Sequence, residues 1–270
     1  FFYGYLFGFG YFVSNLYWIP LSLVHDDNFK FLIPFAIILI PAFISLFYGF
    51  SFFIFRLFLN TKSIFINVTI FSLILGFFEY LRGTIFSGFP WNLFAHTFSQ
   101  NIEFIQIISI IGIYSFNTLC IALFSILSIF YFKRKKIDYV GFSLILIITL
   151  SIYIYGNLRI KNFNNLESET LPSKIIILST KISIERFYNN LDNEQILKEL
   201  INISDPKQDE KSIFIWPEGV IPNINLASLK NEYDYLFQKS FSDNHKIILG
   251  INDEEIQNGK PNFYNSLSII

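Results

Sequence analysis

The sequence has 270 residues, of which 53% are hydrophobic and only 15% are charged, a composition typical of a membrane protein. The formal net charge of −1 gives no electrostatic basis for binding nucleic acid. The single cysteine, Cys120, excludes an internal disulfide.

Both ends of the sequence are unusual. It contains no methionine, so residue 1 is not a natural start, and it stops within an apolar run at Ile269–Ile270. We therefore expect a fragment, truncated at its N-terminus and at its C-terminus.

Five apolar segments precede Leu158, and an α-helix needs about 20 such residues to cross a bilayer. The third and fifth segments are the shortest, near the lower limit of about 17 residues. The sequence predicts a transmembrane helical domain of about five spans over residues 1–157. The segments are Phe1–Leu23, Phe31–Leu59, Ile64–Leu81, Ile102–Phe132 and Tyr139–Tyr155.

Basic residues predict the orientation of these spans. The run Lys133–Lys136 lies between spans four and five, and Arg56 and Lys62 lie between spans two and three. Because Lys and Arg are enriched in cytoplasmic loops, these loops are expected to be cytoplasmic. Everything after Leu158 is then extracytoplasmic, which in a bacterium means the periplasmic side of the inner membrane.

The composition becomes polar after Leu158, which predicts a linker over 158–173 and a second domain over 174–270. Short apolar runs there alternate with helical spacing, as in a layered α/β domain. Residues 253–260, which include Asn258–Gly259, predict a turn. The expected strands and helices are Lys174–Leu178, helix Glu185–Ile203, Ile213–Ile215, helix Leu226–Ser240, Lys246–Ile251 and Phe263–Ile270.

Five residues at three sites in the membrane half are candidates for a structural or functional role. Glu79 and Arg82 are three residues apart on one helix face and can pair near the outer membrane boundary, which favours an ion pair that holds the bundle over direct catalysis. Pro90 and Trp91 belong to a turn that either shapes a lipid groove or anchors the loop. Cys120 lies in an apolar span, as expected of an inert buried thiol.

Glu218 is the candidate acid of the second domain. It follows the predicted strand Ile213–Ile215 and the dipeptide Trp216–Pro217, whose proline cannot donate to a sheet ladder. An indole and a proline ring beside a carboxylate predict poor solvation, which suits a general base. Local chemistry alone favours the alternative, an exposed glutamate in a turn.

Three further stretches carry a resemblance to a known family: Trp216-Pro-Glu218 with Pro222, Asn262–Ser266 and Glu79–Asn92. The first resembles the "WPE…P" motif and the second is similar to the "(Y/F)-N-S" stretch of apolipoprotein N-acyltransferases, whose outer domain belongs to the nitrilase superfamily. Glu79–Asn92 closely matches the signature "E-x-x-R-G…(S/T)-G-F-P-W-N". Ser179–Lys181 departs from the family's usual "Q-x-N" sequence. The fold class implied is an α-helical transmembrane bundle followed by an incomplete α/β nitrilase-like domain, an αββα sandwich.

The resemblance also implies a chemistry. The family transfers an acyl chain from a membrane phospholipid to the N-terminal amine of diacylglyceryl-cysteine in apolipoproteins, through a cysteine thioester and without a cofactor or metal. Its Glu-Lys-Cys triad maps Glu218 as the general base. In the family the Lys and Cys follow the "Y-N-S" strand, so the fragment is expected to lack both and to be inactive alone. Supporting or lipid-groove roles fall to Glu79, Arg82, Pro90, Trp91 and Trp216.

Two other functions compete with acyl transfer. A membrane-tethered nitrilase-type amidase shares the glutamate but uses water as the acceptor, and has no use for the "G-F-P-W-N" loop. A polytopic transporter or scaffold with an extracytoplasmic domain would carry intramembrane charges that face a pathway. The spans here are nearly uncharged apart from Glu79 and Arg82, so we favour the acyltransferase.

Overall fold

A computed structural model describes residues 1–59, 63–132, 135–166, 171–180, 192–221, 224–257 and 260–270. The chain divides into two compact units, a membrane unit over Phe1–Leu166 and a sheet unit over Glu167–Ile270. Several predicted features fall on residues outside those ranges. They are Lys62, the basic pair 133–134, linker residues 167–170, helix residues 185–191, Lys181 of the departing segment, Pro222 and the turn residues 258–259.

The membrane unit is helical. Within the described ranges, four helices are long and apolar enough to cross a membrane, or five if a bent pair is counted as one span. The fold is therefore an apolar helical bundle followed by a small mixed sheet, as predicted. The α-helices are α1 (Phe2–Leu16), α2 (Ile33–Phe58), α3 (Ile64–Thr84), α4 (Ile102–Ile105), α5 (Ile108–Ser125) and α6 (Lys136–Asn164).

Two predicted spans are broken. The first ends as an α-helix at Leu16 and resumes as a 3-10 helix over Ile19–His25, bent by 43°. Pro20 accounts for this break, because it has no N–H to donate to the Leu16 carbonyl four residues earlier and its ring clashes with that carbonyl. The fourth is interrupted between α4 and α5, and again at Gly112, whose φ of +76° is not helical.

The fifth span is longer than expected. Helix α6 runs to Asn164, so residues 158–164, which the sequence analysis placed in a linker, are helical. The polar residues after Leu158 have adequate helix propensity, and the change in composition therefore does not coincide with the end of the helix.

Asp138 joins two helices of the bundle at their N-terminal ends. Its Oδ1 accepts hydrogen bonds from the Ser63 hydroxyl and the Ile64 and Phe65 amides, at 2.8, 2.8 and 3.0 Å, and its Oδ2 accepts one from the Lys135 amide at 2.7 Å. One carboxylate thus satisfies N–H groups at the starts of α3 and α6, which have no partner within their helices.

The sheet unit contains four strands in the order β1-β2-β3-β4. The first three are parallel, and β4 returns antiparallel to β3. The sequence placed a turn over 253–260, but the strands remain paired as far as Gln257 and Lys260, so 253–257 are strand. The elements are β1 (Lys174–Ile177), α7 (Asn193–Ser204), β2 (Ser212–Ile215), α8 (Leu226–Ser240), β3 (His245–Gln257) and β4 (Lys260–Ile269).

The two faces of this sheet differ. Both helices pack on one face, around Phe214, Trp216, Ile247 and Leu249, each at most 2% exposed. The other face, which we call the open face, carries apolar side chains that remain exposed, because strand residues alternate between faces. Its exposed apolar members are Ile175, Ile177, Ile256, Phe263, Leu267 and Ile269.

Candidate functional site

A polar cluster in the membrane unit contains the predicted pair Glu79 and Arg82. Both side chains are buried, and the Arg82 guanidinium donates to Glu79 Oε2 through Nε and Nη2. The Tyr48 hydroxyl donates to the other oxygen, Oε1, at 2.5 Å. Tyr48 reaches this position because Gly8 of α1 leaves room, since a Cβ there would lie 2.8 Å from Tyr48 Cβ. Both Glu79 oxygens therefore have partners, and the charge is neutralised internally.

Arg82 also holds the loop that follows α3. Its Nη1 donates to the Phe89 carbonyl at 2.6 Å, while the Phe89 amide donates to the Arg82 carbonyl at 2.8 Å. The guanidinium carbon lies 5.2 and 5.8 Å from the ring centres of Phe12 and Phe89, within cation–π range. Tyr11 adds a second attachment, from its hydroxyl to the Asn92 carbonyl at 2.9 Å.

The loop held in this way has an unusual backbone. Phe86, Ser87 and Asn92 have φ values of +53°, +73° and +59°, a region that costs residues with a Cβ about 1–3 kcal/mol each. Such conformations persist only where surrounding contacts impose them, as Arg82 and Tyr11 do here. The arrangement fixes where the loop presents its aromatic side chains.

Two tryptophans meet at this loop. The rings of Trp91 and Trp18 stack with centres 5.2 Å apart and planes 16° from parallel, and each side chain is about half exposed. Phe89 packs against Trp91 with ring centres 5.8 Å apart. Pro90 lies between Phe89 and Trp91 in the sequence. The predicted groove residues Pro90 and Trp91 are therefore part of an exposed surface that is rich in aromatic side chains.

Glu218 lies beyond the carboxyl end of β2 in the sheet unit. The expected poor solvation is wrong, because the side chain is exposed. Trp216 does not cover it: the indole is 2% exposed on the helix-covered face, where its Nε1 donates to Ser204 Oγ at 3.0 Å. The alternation of β2 explains this, since Ser212, Phe214 and Trp216 share one face.

Asn265 of β4 provides the only hydrogen bond to the Glu218 carboxylate within the described part of the chain. Its Nδ2 donates to Oε1 at 2.5 Å. Glu218 also lies against Gly250 of β3, where an added Cβ would be 3.1 Å from Glu218 Cγ and 3.2 Å from its Cα. The resulting site is an exposed carboxylate at the ends of parallel strands, held from two neighbouring strands and accessible to other groups.

The predicted partner of Glu79, Arg82, is present, but the contacts of Tyr48 with Glu79 and of Asn265 with Glu218 were not predicted. Tyr48 and Asn265 are distant in sequence from the acids they contact, by 31 and 47 residues. Each of these two residues has a feature in the sequence that could have indicated a polar contact. Tyr48 places a hydroxyl group within the long apolar run of α2, and Asn265 places an amide directly after the aromatic pair Phe263–Tyr264. Cys120 lies buried in the bundle.

Comparison with known proteins places the whole chain near one family. A family model described as the apolipoprotein N-acyltransferase N-terminal domain matches residues 1–127. A protein of Brucella suis biovar 1 named apolipoprotein N-acyltransferase is 28% identical over 277 residues, which cover 99% of this chain and 50% of that protein. Its namesake in Rickettsia bellii is 34% identical over 263 residues, covering 90% and 49%. The chain spans about half the length of these curated relatives.

Proposed function

Because the chain belongs to the apolipoprotein N-acyltransferase family, we propose that the full-length protein transfers an acyl chain from a membrane phospholipid to the N-terminal amine of an apolipoprotein. In this proposal the amine belongs to a diacylglyceryl-modified cysteine. The observation that supports it most is Glu218, an exposed carboxylate at the ends of parallel strands, in a chain whose other unit is an apolar helical bundle. Membrane helices suit a reaction whose two substrates are both lipid-anchored.

The proposed first step forms a thioester. Glu218 removes the proton of a cysteine thiol, and the thiolate attacks the ester carbonyl of the phospholipid. A lysine stabilises the oxyanion of the tetrahedral intermediate. The intermediate collapses to the thioester, and the protonated Glu218 returns its proton to the departing lysophospholipid alkoxide.

The second step transfers the acyl group to nitrogen. The apolipoprotein amine attacks the thioester carbonyl, its proton passes to Glu218, and the cysteine leaves as the thiolate. The product is an amide, and Glu218 ends each cycle ionised after the thiolate is reprotonated. We place the lysine and the cysteine beyond Ile270, so residues 1–270 alone are expected to be inactive.

Several residues of both units have supporting roles in this reaction. Glu79 and Arg82 hold the loop 86–92, and Pro90 and Trp91 contribute to a groove that admits the lipid. Trp216 supports the site from within the core of the sheet unit. We further propose that the protein lies in a bacterial inner membrane with the sheet unit on the periplasmic side, as the positions of Lys and Arg indicate.

An acyl-transfer assay with the full-length protein in liposomes tests this function. The donor is a phospholipid with an isotopically labelled acyl chain, and the acceptor is a synthetic diacylglyceryl-cysteinyl peptide. Glu218→Gln should abolish both the thioester intermediate and the amide product, detected by mass spectrometry. Glu210→Gln is the matched control, because Glu210 is a partly exposed acid of the same unit just before β2. Unchanged acylation by Glu218→Gln, or acyl transfer by residues 1–270 alone, contradicts the proposal.

A further inference from the structure

We propose that Asn265 is a positioning residue for Glu218, which fixes one carboxylate oxygen so that the other accepts the proton of the nucleophile. This inference deepens the proposed function and rests on the role of Glu218 as the base. Asn265 does not itself touch the reacting atoms in this proposal. Its effect is exerted through the orientation of the Glu218 side chain.

Strand pairing places Asn265 beside Glu218. In the antiparallel hairpin, Asn265 pairs with Asn252, and Leu267 pairs with Gly250. Residues two apart on a strand share a face, so Asn265 and Gly250 both belong to the open face, opposite the helices. Glu218 lies over this face beyond the end of β2, where both strands can reach it.

The two contacts constrain Glu218 in different ways. Asn265 acts through a hydrogen bond of 2.5 Å to Oε1. Gly250 acts through close packing, because its missing Cβ lets Glu218 Cα and Cβ come within 3.2 Å of where that atom would be. An exposed glutamate normally samples several rotamers, and holding it against two hydrogen-bonded strands reduces that freedom.

The hydrogen bond leaves the two carboxylate oxygens unequal. Oε1 accepts from Asn265, while Oε2 has no hydrogen-bond partner within the described ranges. A general base needs an accessible lone pair at a fixed position. The side-chain amide cannot take a proton from the nucleophile, so it fixes the base without competing with it.

A purely structural Asn265 would stabilise the hairpin without affecting the reaction. Two variants separate these possibilities. Asn265→Ala removes the donor, and Asn265→Asp replaces it with an acceptor of the same shape that repels the carboxylate. Asn262→Ala is the matched control, because Asn262 lies on the same strand, pairs with Glu255 and faces away from the open face.

The contact itself is tested in residues 1–270, with asparagine labelled with nitrogen-15 and the protein in detergent micelles. The side-chain amide protons of Asn265 should show one strongly downfield resonance that is lost in Glu218→Ala and retained in Glu210→Ala. An Asn265 signal unaffected by Glu218→Ala overturns the inference. This measurement does not depend on acyltransferase activity.

The consequence is tested in the full-length protein, through the rate of thioester formation. Asn265→Ala should lower kcat for this step by about 10- to 100-fold with little change in the KM for phospholipid, because the base is misplaced while lipid binding is intact. Asn265→Asp should be at least as slow, and Asn262→Ala should match the wild type. Gly250→Ala, whose added methyl group displaces Glu218 from β3, should also lower kcat. It provides a second variant if Asn265 variants fold poorly.

The outcomes separate this inference from the function on which it depends. If Glu218→Gln is inactive while Asn265→Ala and Gly250→Ala keep wild-type kcat, Glu218 acts without positioning by its neighbours and the inference is wrong. If Glu218→Gln remains active, the proposed function fails and the inference fails with it.

Discussion

The two units of the chain each contain one prominent glutamate, and the two are held in opposite ways. Glu79 in the membrane unit is buried, and both of its oxygens have partners in Arg82 and Tyr48. Glu218 in the sheet unit is exposed, and Asn265 contacts only one of its oxygens. Among the described residues, the first carboxylate has donors on both of its oxygens, whereas the second has a donor on Oε1 alone.

A structural acid and a chemical acid differ in what surrounds the carboxylate. A buried carboxylate is tolerated when its charge is compensated, and the donors that compensate Glu79 belong to the bundle that encloses it. A reactive carboxylate needs an accessible oxygen and support from rigid neighbours. The sequence already favoured an ion pair for Glu79 and a general base for Glu218, and the structure adds the partners Tyr48 and Asn265.

The largest expected effect on stability is at Arg82. Arg82→Met leaves the Glu79 carboxylate buried without its cation and should cost about 3–5 kcal/mol of unfolding free energy. The double variant Glu79→Met/Arg82→Met removes both charges and should recover most of that loss. Denaturant unfolding of the protein in detergent micelles measures both. If the single variant is no less stable than the double variant, the pair does not hold the bundle.

Asp138 should rank next, because one carboxylate serves the starts of two helices. Asp138→Ala removes the acceptor for four groups and should lower stability by about 2–3 kcal/mol. Ser63→Ala removes only one of these donors and should cost about 1 kcal/mol or less. Equal effects of the two substitutions would argue against a shared cap.

A smaller effect is expected in the core of the sheet unit. Ser204→Ala leaves the buried indole N–H of Trp216 without its acceptor, which should cost about 1–3 kcal/mol. The measurement uses a background protein in which Trp18 and Trp91 are replaced by phenylalanine. Trp216 is then the one remaining tryptophan, and its fluorescence reports unfolding of the sheet unit. Ser228→Ala, on a partly buried turn of α8, is the control and should be near neutral. A wild-type midpoint for Ser204→Ala would contradict the assignment.

The smallest effect depends on pH. A hydrogen bond from Lys198 lowers the pKa of Glu194 the most, and a hydrogen bond from Tyr235 lowers it further. Lys198 Nζ lies 2.6 Å from Glu194 Oε1. A lowered folded-state pKa means that this stabilisation is present above the ordinary glutamate pKa of about 4.5 and is lost as the pH falls through the lowered value. Glu194→Gln should therefore flatten the acid side of the stability profile of the sheet unit. An unchanged slope between wild type and variant would show that these contacts do not form in solution.

Much of the fold follows from local patterns. Apolar runs located the helices and strands, and helix α8 has the predicted bounds Leu226–Ser240. The errors have local physical causes: Pro20 ends an apparently continuous span, and α6 continues to Asn164 because composition marks polarity rather than helix ends. The strands β3 and β4 are longer than their apolar portions because backbone pairing continues through polar residues.

The candidate site was less predictable because its contacts are not local. Glu218 was identified from its motif, but its exposure depends on the side chain of Trp216 turning into the core. Asn265 and Gly250 come from two other strands, and their approach to Glu218 depends on the register of the sheet. No window of sequence around residue 218 contains that information.

The most direct test compares Glu218→Gln with Glu79→Gln in the full-length protein, measuring thioester formation and the unfolding midpoint of each. We expect Glu218→Gln to lose the thioester while its midpoint stays at the wild-type value, and Glu79→Gln to unfold at a clearly lower midpoint. Thioester formation by Glu218→Gln at the wild-type rate would contradict the division between a chemical acid and a structural one.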